Sequence, residues 1–116
     1  MINHSEMVKV LAKDGDVIQA ELKPSDCHNL HMCMGISGEV GELIDAVKKS
    51  IFYRKPLDRV NAVEELGDIE FYLEGLRQGL GITREETIRG NISKLAQRYE
   101  GFAYSDKAAM VRADKS

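Results

Sequence analysis

Two pairs of carboxylates in the sequence have the type and spacing needed to bind a metal ion. Glu39 and Glu42 lie three residues apart in GISGEVGELIDAVKK, residues 35–49. Glu65 and Asp68 have the same spacing in VEELGDIEFY, residues 63–72. Residues three apart on a helix lie on one face, with β-carbons about 5–6 Å apart. If the two helices pack antiparallel across the short turn YRKPLD, all four carboxylates converge.

Converging carboxylates repel one another and need a positive counter-charge. Hard divalent cations prefer oxygen ligands, so Mg²⁺ suits this set, with Mn²⁺ as a substitute. An ordinary solvated acidic face is the alternative interpretation, but such a face would not be flanked by apolar residues. Both pairs are flanked in this way, by Val40, Leu43 and Ile44 and by Leu66 and Ile69. We therefore predict a metal site.

The segments that must position these carboxylates are predicted to be helical, because almost none alternates with the two-residue period of a strand. We expect helices over residues 3–13, 26–53, 59–79 and 83–99, and a last turn or two in KAAMVRA. VIQAELKPSD is expected to be a connection. The expected N-caps are Ser25 or Asp26 for the second helix, Asp58 for the third and Thr83 for the fourth. The predicted fold is an all-α, four-helix-bundle type.

Composition limits the classes of protein and partner. The 116 residues are 43% hydrophobic and 30% charged, which predicts one folded domain over residues 1–116. A net charge of −3 argues against a nucleic-acid partner. The lack of a long apolar run or a signal-peptide pattern predicts a cytoplasmic protein with no membrane partner. Cys27 and Cys33 lack the second ligand pair of a zinc site, so we expect free thiols.

The region around the carboxylates resembles the MazG-like all-α nucleoside triphosphate pyrophosphohydrolases. Their signature is Glu-x-x-Glu, a variable gap and then Glu-x-x-Asp, which EVGE at 39–42 and EELGD at 64–68 match. YRKPLD, DIEFYL and NISKLAQRYEGF extend the resemblance over about residues 28–104.

The resemblance implies Mg²⁺-dependent hydrolysis of a (deoxy)nucleoside triphosphate to the monophosphate and pyrophosphate, as housekeeping of the nucleotide pool. It makes Glu39, Glu42, Glu65 and Asp68 the metal ligands. Glu39 or Glu42 would also serve as the catalytic base, and the sequence does not choose between them.

Candidate substrate-binding residues lie on the same helices and on the fourth one. Asn91, Lys94 and Arg98 are spaced i, i+3 and i+7, so they share a face suited to a phosphate chain, although a solvated face has the same pattern. Tyr72 follows Asp68 by one turn, and the resemblance implies that an aromatic residue there helps to hold the base. His31 is a second candidate for the base or sugar. For both rings, packing in the core is the alternative. Further phosphate candidates near the turn are Lys48, Lys49, Arg54 and Lys55.

Three glycines, Gly35, Gly38 and Gly41, form a strip without side chains beside the first carboxylate pair. Glycine weakens a helix interior by roughly 1 kcal/mol relative to alanine, so this spacing calls for a compensating interaction. We expect a neighbouring helix, or the nucleotide itself, to approach the strip closely.

Both central helices are apolar on more than one face, and such faces must all be covered. One short chain has too few other helices, so we predict a homodimer or homotetramer that completes the bundle across a twofold axis. The resemblance also implies dimers or tetramers whose chains can share a site. The residues concerned include Leu30, Met34, Ile44, Val47, Ile51, Val60, Val63 and Phe71.

Two alternative functions remain open from the sequence. One is a non-catalytic helical interaction protein that retains the fold, although none of the four carboxylates is missing. The other is phosphoribosyl-ATP pyrophosphohydrolase, which uses the same chemistry. A ferritin-like redox protein is disfavoured, because it requires Glu-x-x-His motifs that this chain lacks.

Overall fold

The structure, a computed structural model, describes residues 1–102 and 106–111. Its α-helices are α1 (His4–Leu11), α2 (Gly15–Glu21), α3 (Pro24–Phe52), α4 (Arg59–Leu80), α5 (Arg84–Arg98) and α6 (Asp106–Val111). A single 3-10 turn, Glu100–Phe102, follows α5. Strands are absent from these described ranges, so the all-α prediction is confirmed. Of the predicted last turn in KAAMVRA, residues 112–113 lie outside the described residues.

Helices α3 and α4 form an antiparallel hairpin that contains the most extensive helix–helix contact of the structure. The side chain of Met32 lies against Gly75 and is only 8% exposed. Nearby, His28 Nε2 donates a hydrogen bond to the carbonyl oxygen of Gly75, at 2.9 Å. These contacts fix the register of the hairpin at the end away from the turn.

Residues 53–58 form the turn between α3 and α4. Arg54 has a φ of 52°, in the left-handed region that residues with a Cβ rarely adopt. The Lys55 N–H donates to the carbonyl oxygen of Ser50 at 3.1 Å. The Ser50 hydroxyl donates in return to the carbonyl oxygen of Lys55 at 2.9 Å. Asp58 then caps α4, as predicted, by accepting from the N–H of Asn61 at 3.0 Å.

The start of α3 differs from the prediction. The N-cap is Lys23, and the predicted caps Ser25 and Asp26 both lie inside the helix. Pro24 occupies the first helical position, where its fixed φ is favourable and its missing N–H costs nothing. The Asp26 carboxylate accepts from the N–H of Lys23 at 2.9 Å, so a residue inside the helix satisfies the backbone donor of the N-cap.

The predicted connection VIQAELKPSD, residues 17–26, is wrong over most of its length, because α2 (Gly15–Glu21) covers its first half and α3 begins at Pro24. Asp14 caps this short helix by accepting from the N–H of Asp16 at 2.9 Å. The sequence KDGD therefore ends one helix and starts another.

The predicted end of α4 and the predicted start of α5 agree closely with the structure. Gly81 follows α4 with a φ of 70°, a left-handed conformation that glycine adopts without steric cost. The Ile82 N–H then donates to the carbonyl oxygen of Arg77 at 2.9 Å, which completes a Schellman-type cap. The Thr83 hydroxyl caps α5, as predicted, by accepting from the N–H of Glu86 at 3.1 Å.

The chain leaves much of its apolar surface uncovered. Its accessible surface is 9610 Å², against about 6,300 Å² for a globular monomer of this mass. Its radius of gyration is 20.1 Å, against about 13 Å for a compact chain of this length. Within the described ranges, α1, α2 and α5 make no extensive contact with the α3–α4 hairpin. The hairpin therefore receives little cover from the rest of its own chain.

None of the described helices combines the length and the apolar character that crossing a bilayer requires.

The glycine strip on α3 has two kinds of surroundings. At Gly35, a Cβ would overlap the ring of Tyr72, so the predicted close approach is confirmed there. At Gly38 and Gly41, no atom of another described element comes within 4 Å of such a Cβ. Close approach at these two positions stays a prediction for a ligand or another chain.

The contact between Gly35 and Tyr72 gives a stability prediction. Gly35→Ala should lower the free energy of unfolding by about 1–3 kcal/mol, because the added methyl overlaps the ring. Gly90→Ala, at an exposed position inside α5 where such a Cβ would meet no neighbouring side chain, should raise it by about 0.5–1 kcal/mol, because alanine favours a helix more than glycine. Urea unfolding followed by circular dichroism measures both changes.

A double-mutant cycle isolates this contact. In a Tyr72→Ala background, Gly35→Ala should no longer destabilise the protein, because the overlapping ring is gone. An equal loss of stability with and without Tyr72 would show that the close approach does not involve this ring.

Candidate active site

Three carboxylates meet at the centre of the hairpin. Glu39 from α3 and Glu65 and Asp68 from α4 each place an oxygen atom within 4.8 Å of the other two. The antiparallel packing brings the two helices' pairs together, and the three-residue spacing points both α4 carboxylates toward α3. We call these three residues the carboxylate cluster. The predicted convergence of carboxylates from both helices is therefore present in the structure.

Glu65 is the central member of the cluster. Its Oε2 atom is buried and has no hydrogen-bond partner among the described residues. Burial raises the pKa of the Glu65 carboxyl above its ordinary value, and the adjacent Glu39 carboxylate raises it further. The negative charges of Glu42 and Asp68 act in the same direction. Ionised Glu65 is thus held where protein groups do not compensate its charge.

This arrangement fits a divalent cation. A cation among the three carboxylates would give the buried Glu65 oxygen a partner and offset the repulsion that raises its pKa. The ligand atoms on offer are all carboxylate oxygens, which Mg²⁺ and Mn²⁺ prefer over softer ligands. Exposed Asp68 and half-buried Glu39 leave one side of the cluster open to water or substrate.

Glu42, the fourth predicted metal ligand, lies beside the cluster. It is exposed, and it is outside the group of three whose oxygens meet within 4.8 Å. Its charge nevertheless contributes to the raised pKa of Glu65, and both residues line the same cleft. Its roles as metal ligand and catalytic base stay predictions.

That cleft lies between the cluster and the turn and has a volume of about 380 Å³. Lys49 and Lys55 contribute to its walls, and Asn61 lies one helical turn before Glu65 on the α4 side. The sequence predicts both lysines as further phosphate candidates, but it does not predict Asn61. The signal for Asn61 was its spacing of four residues before Glu65, which places the two on one face of α4.

The two predicted base-binding residues meet on the other side of the cluster. The rings of His31 and Tyr72 are edge-on, with centroids 6.3 Å apart. Phe71 packs edge-on against Tyr72 at 5.1 Å. Tyr72 is half-buried over Gly35, so one of its roles is to pack the hairpin, whereas His31 is exposed.

The predicted phosphate-binding face of α5 is not joined to the carboxylates by extensive contacts within the described chain. Helix α5 makes its main contacts with the 3-10 turn and with α6. Asn91 is exposed, and Lys94 and Arg98 are half-buried. A substrate-binding role for these three residues stays a prediction. The two cysteines, Cys27 and Cys33, are free and exposed.

Comparison with known proteins agrees with the resemblance seen in the sequence. A family model, the MazG nucleotide pyrophosphohydrolase domain, matches residues 28–102, which include the carboxylate cluster, the aromatic pair and the predicted face of α5. Neither the comparison with curated proteins nor the comparison with solved structures gave a significant match. Because the matched region covers more than half of the sequence, the chain belongs to the MazG nucleotide pyrophosphohydrolase family.

Proposed function

We propose that this protein hydrolyses a (deoxy)nucleoside triphosphate to the monophosphate and pyrophosphate with the help of Mg²⁺. The observation that carries the proposal is the buried, unpaired Oε2 atom of Glu65 between two further carboxylates. A structural acidic surface has no reason to bury a carboxylate in this way. Membership of a nucleotide pyrophosphohydrolase family supplies the class of substrate.

Glu39, Glu65 and Asp68 would hold the metal, with exposed Glu42 at the side of the site. When bound there, Mg²⁺ would supply the Lewis acidity needed to polarise the α-phosphate and to lower the pKa of the attacking water. Of the two predicted bases, Glu42 suits proton transfer better, because Glu39 belongs to the carboxylate cluster and would itself bind the cation. A carboxylate bound to a cation is a weaker base than a free one.

The positions of the aromatic residues support one placement of the nucleoside. Tyr72 follows Asp68 by one turn, about 6 Å along α4, and it contacts His31 on α3. A base held by this pair would leave its α-phosphate close to the carboxylate cluster. Asn91, Lys94 and Arg98 would then bind phosphate oxygens. Because α5 makes no extensive contact with the hairpin of its own chain, the α5 that supplies these three residues would belong to another chain.

We also propose that the protein is a homodimer or homotetramer. The hairpin presents large apolar side chains that its own chain leaves exposed, such as Ile44 at 59%, Val63 at 65% and Phe71 at 67%. Leu43, Ile44, Val47 and Ile51 line one continuous apolar groove on α3. A second copy that packs its hairpin on these faces would bury them and bring its α5 to the site.

The first prediction for this function concerns metal binding. Mg²⁺ or Mn²⁺ at a hundredfold excess over its dissociation constant should stabilise the fold by about 2.7 kcal/mol per site. For a domain of this size, the melting temperature should rise by roughly ten degrees. Glu65→Gln should abolish this rise, because it removes the central charge. Glu70→Gln, on the same helix but outside the cluster, should retain it.

Glu65→Gln should also melt no lower than the wild type when metal is absent, because it relieves repulsion in the cluster. A metal response in Glu65→Gln equal to that of the wild type would place the ion elsewhere.

The reaction itself is tested with common ribo- and deoxynucleoside triphosphates and phosphoribosyl-ATP, in Mg²⁺ and ¹⁸O-labelled water. Attack at the α-phosphorus should release pyrophosphate and place the label in the monophosphate. Glu65→Gln should lower turnover by at least a hundredfold, while Glu70→Gln should remain near wild-type activity. Release of inorganic phosphate and a diphosphate, or equal losses in both variants, would contradict the proposed reaction.

The assembly is tested by light scattering at micromolar concentration, which should report the mass of a dimer or tetramer. Ile44→Arg should shift the mass toward the monomer, because it puts a charge in the apolar groove. Lys48 lies one helical turn after Ile44 and lines the same groove, but it is already charged. Lys48→Arg should therefore leave the mass unchanged. A wild-type monomer with full activity would contradict the proposed assembly.

A further inference from the structure

The residues that line the cleft beside the carboxylate cluster differ in kind from His31 and Tyr72 on the other side of the cluster. The cleft lies between the last turns of α3, the connecting turn and the first turns of α4, and it holds about 380 Å³. It is continuous with the cluster, because Glu42 and Glu65 form part of its wall. Its other lining residues include two lysines and an asparagine but no aromatic residue.

Two of the acidic groups in the cleft already have partners. The carboxylate of Asp45 lies 2.9 Å from Lys49 Nζ, and it raises the pKa of this lysine above its ordinary value. Asp58 accepts from the backbone N–H of Asn61, so it is used as the cap of α4. The acidic groups that remain, Glu42 and Glu65, are those next to the proposed metal.

Lys55 is an exposed cation of the turn, and it lines the cleft. Its backbone is held on both sides, because its N–H and its carbonyl group both bond to Ser50. The left-handed conformation of Arg54 turns the chain just before it. Among the described residues, the ammonium group of Lys55 has no ion-pair partner. A fixed backbone thus presents a lysine to the cleft without committing its charge.

We infer that this cleft binds the terminal two phosphates of the substrate, through Lys55 and Lys49, with the Asn61 amide as a further donor. The inference rests on the proposed triphosphate hydrolysis and adds an orientation to it. Ammonium and amide groups donate to phosphate oxygens, whereas a base would need aromatic or apolar surface to stack on. The aromatic pair His31 and Tyr72 lies at the other side of the cluster.

The nucleotide therefore lies along the hairpin, with its base toward the start of α3 and its phosphate tail toward the turn. In this orientation, the bond to be broken is at the carboxylate cluster, and the pyrophosphate half occupies the cleft. Glu42 and Glu65 face the tail, where metal-bound phosphate is compatible with their negative charge.

The test is the binding of inorganic pyrophosphate, measured by calorimetry at one saturating concentration of Mg²⁺. Lys55→Ala should weaken binding by about tenfold, because it removes a charge-assisted hydrogen bond. Lys9→Ala is the matched control, since Lys9 is an exposed lysine of α1, which makes no extensive contact with the hairpin. It should bind pyrophosphate as the wild type does. The metal-induced rise in melting temperature should be the same in all three proteins, which shows that the fold and the metal site are intact.

Three results would overturn the inference: wild-type affinity in Lys55→Ala, an equal loss in Lys9→Ala, or no binding of pyrophosphate to the wild type. Each of these is separable from failure of the proposed function. That failure would appear in the wild type as a lack of nucleoside triphosphate turnover and of any metal-induced stabilisation.

Discussion

The repulsion among the carboxylates around Glu65 is the constraint on which the rest of the structure depends. Burial raises the pKa of Glu65, and Glu39, Glu42 and Asp68 raise it further, so without a counter-charge the hairpin holds negative charges together against their mutual repulsion. The packing of α3 on α4 must supply the compensating free energy. Met32 against Gly75 and Tyr72 over Gly35 are the contacts that hold the helices at this distance. Caps at Asp58 and Gly81 fix the ends of α4.

The candidate site is asymmetric, because the hairpin carries different kinds of side chain on the two sides of the carboxylate cluster. One side carries the contacting rings of His31 and Tyr72, and the other carries the cleft with Lys49 and Lys55. A nucleoside triphosphate has the same asymmetry, with an aromatic base at one end and a charged tail at the other. The match between these two asymmetries connects the central cluster to one class of substrate. The uncovered apolar faces of the hairpin are consistent with the proposed assembly of chains.

The sequence predicts those features that depend on local patterns. Helical periodicity gives the all-α fold, and the three-residue spacing gives the carboxylates that meet in the cluster. Asp58 was correctly predicted as a cap, because capping involves residues only a few positions apart. The start of α3 was misplaced because proline at its first position and Asp26 inside the helix together replace an N-cap side chain. Helix α2 was missed because a seven-residue helix has too short a pattern to recognise.

Features that depend on tertiary structure could not be predicted from local sequence patterns. The spacing shows that Asn91, Lys94 and Arg98 share a face, but it does not show what that face contacts. Likewise, Gly35, Gly38 and Gly41 look alike in sequence, yet only Gly35 lies under a ring of the same chain. The burial of one Glu65 oxygen also depends on how closely α3 approaches α4. This burial is the observation that favours the proposed metal site over an acidic surface.

The position of the cation can be measured directly by the anomalous scattering of Mn²⁺ in crystals of the protein. A cation that offsets the repulsion must lie between α3 and α4, in contact with the buried oxygen of Glu65. We expect an anomalous peak within coordination distance of Glu65 and of at least one of Glu39 and Asp68. A peak that avoids Glu65, or crystals with no peak in the hairpin at saturating Mn²⁺, would contradict the proposed metal site.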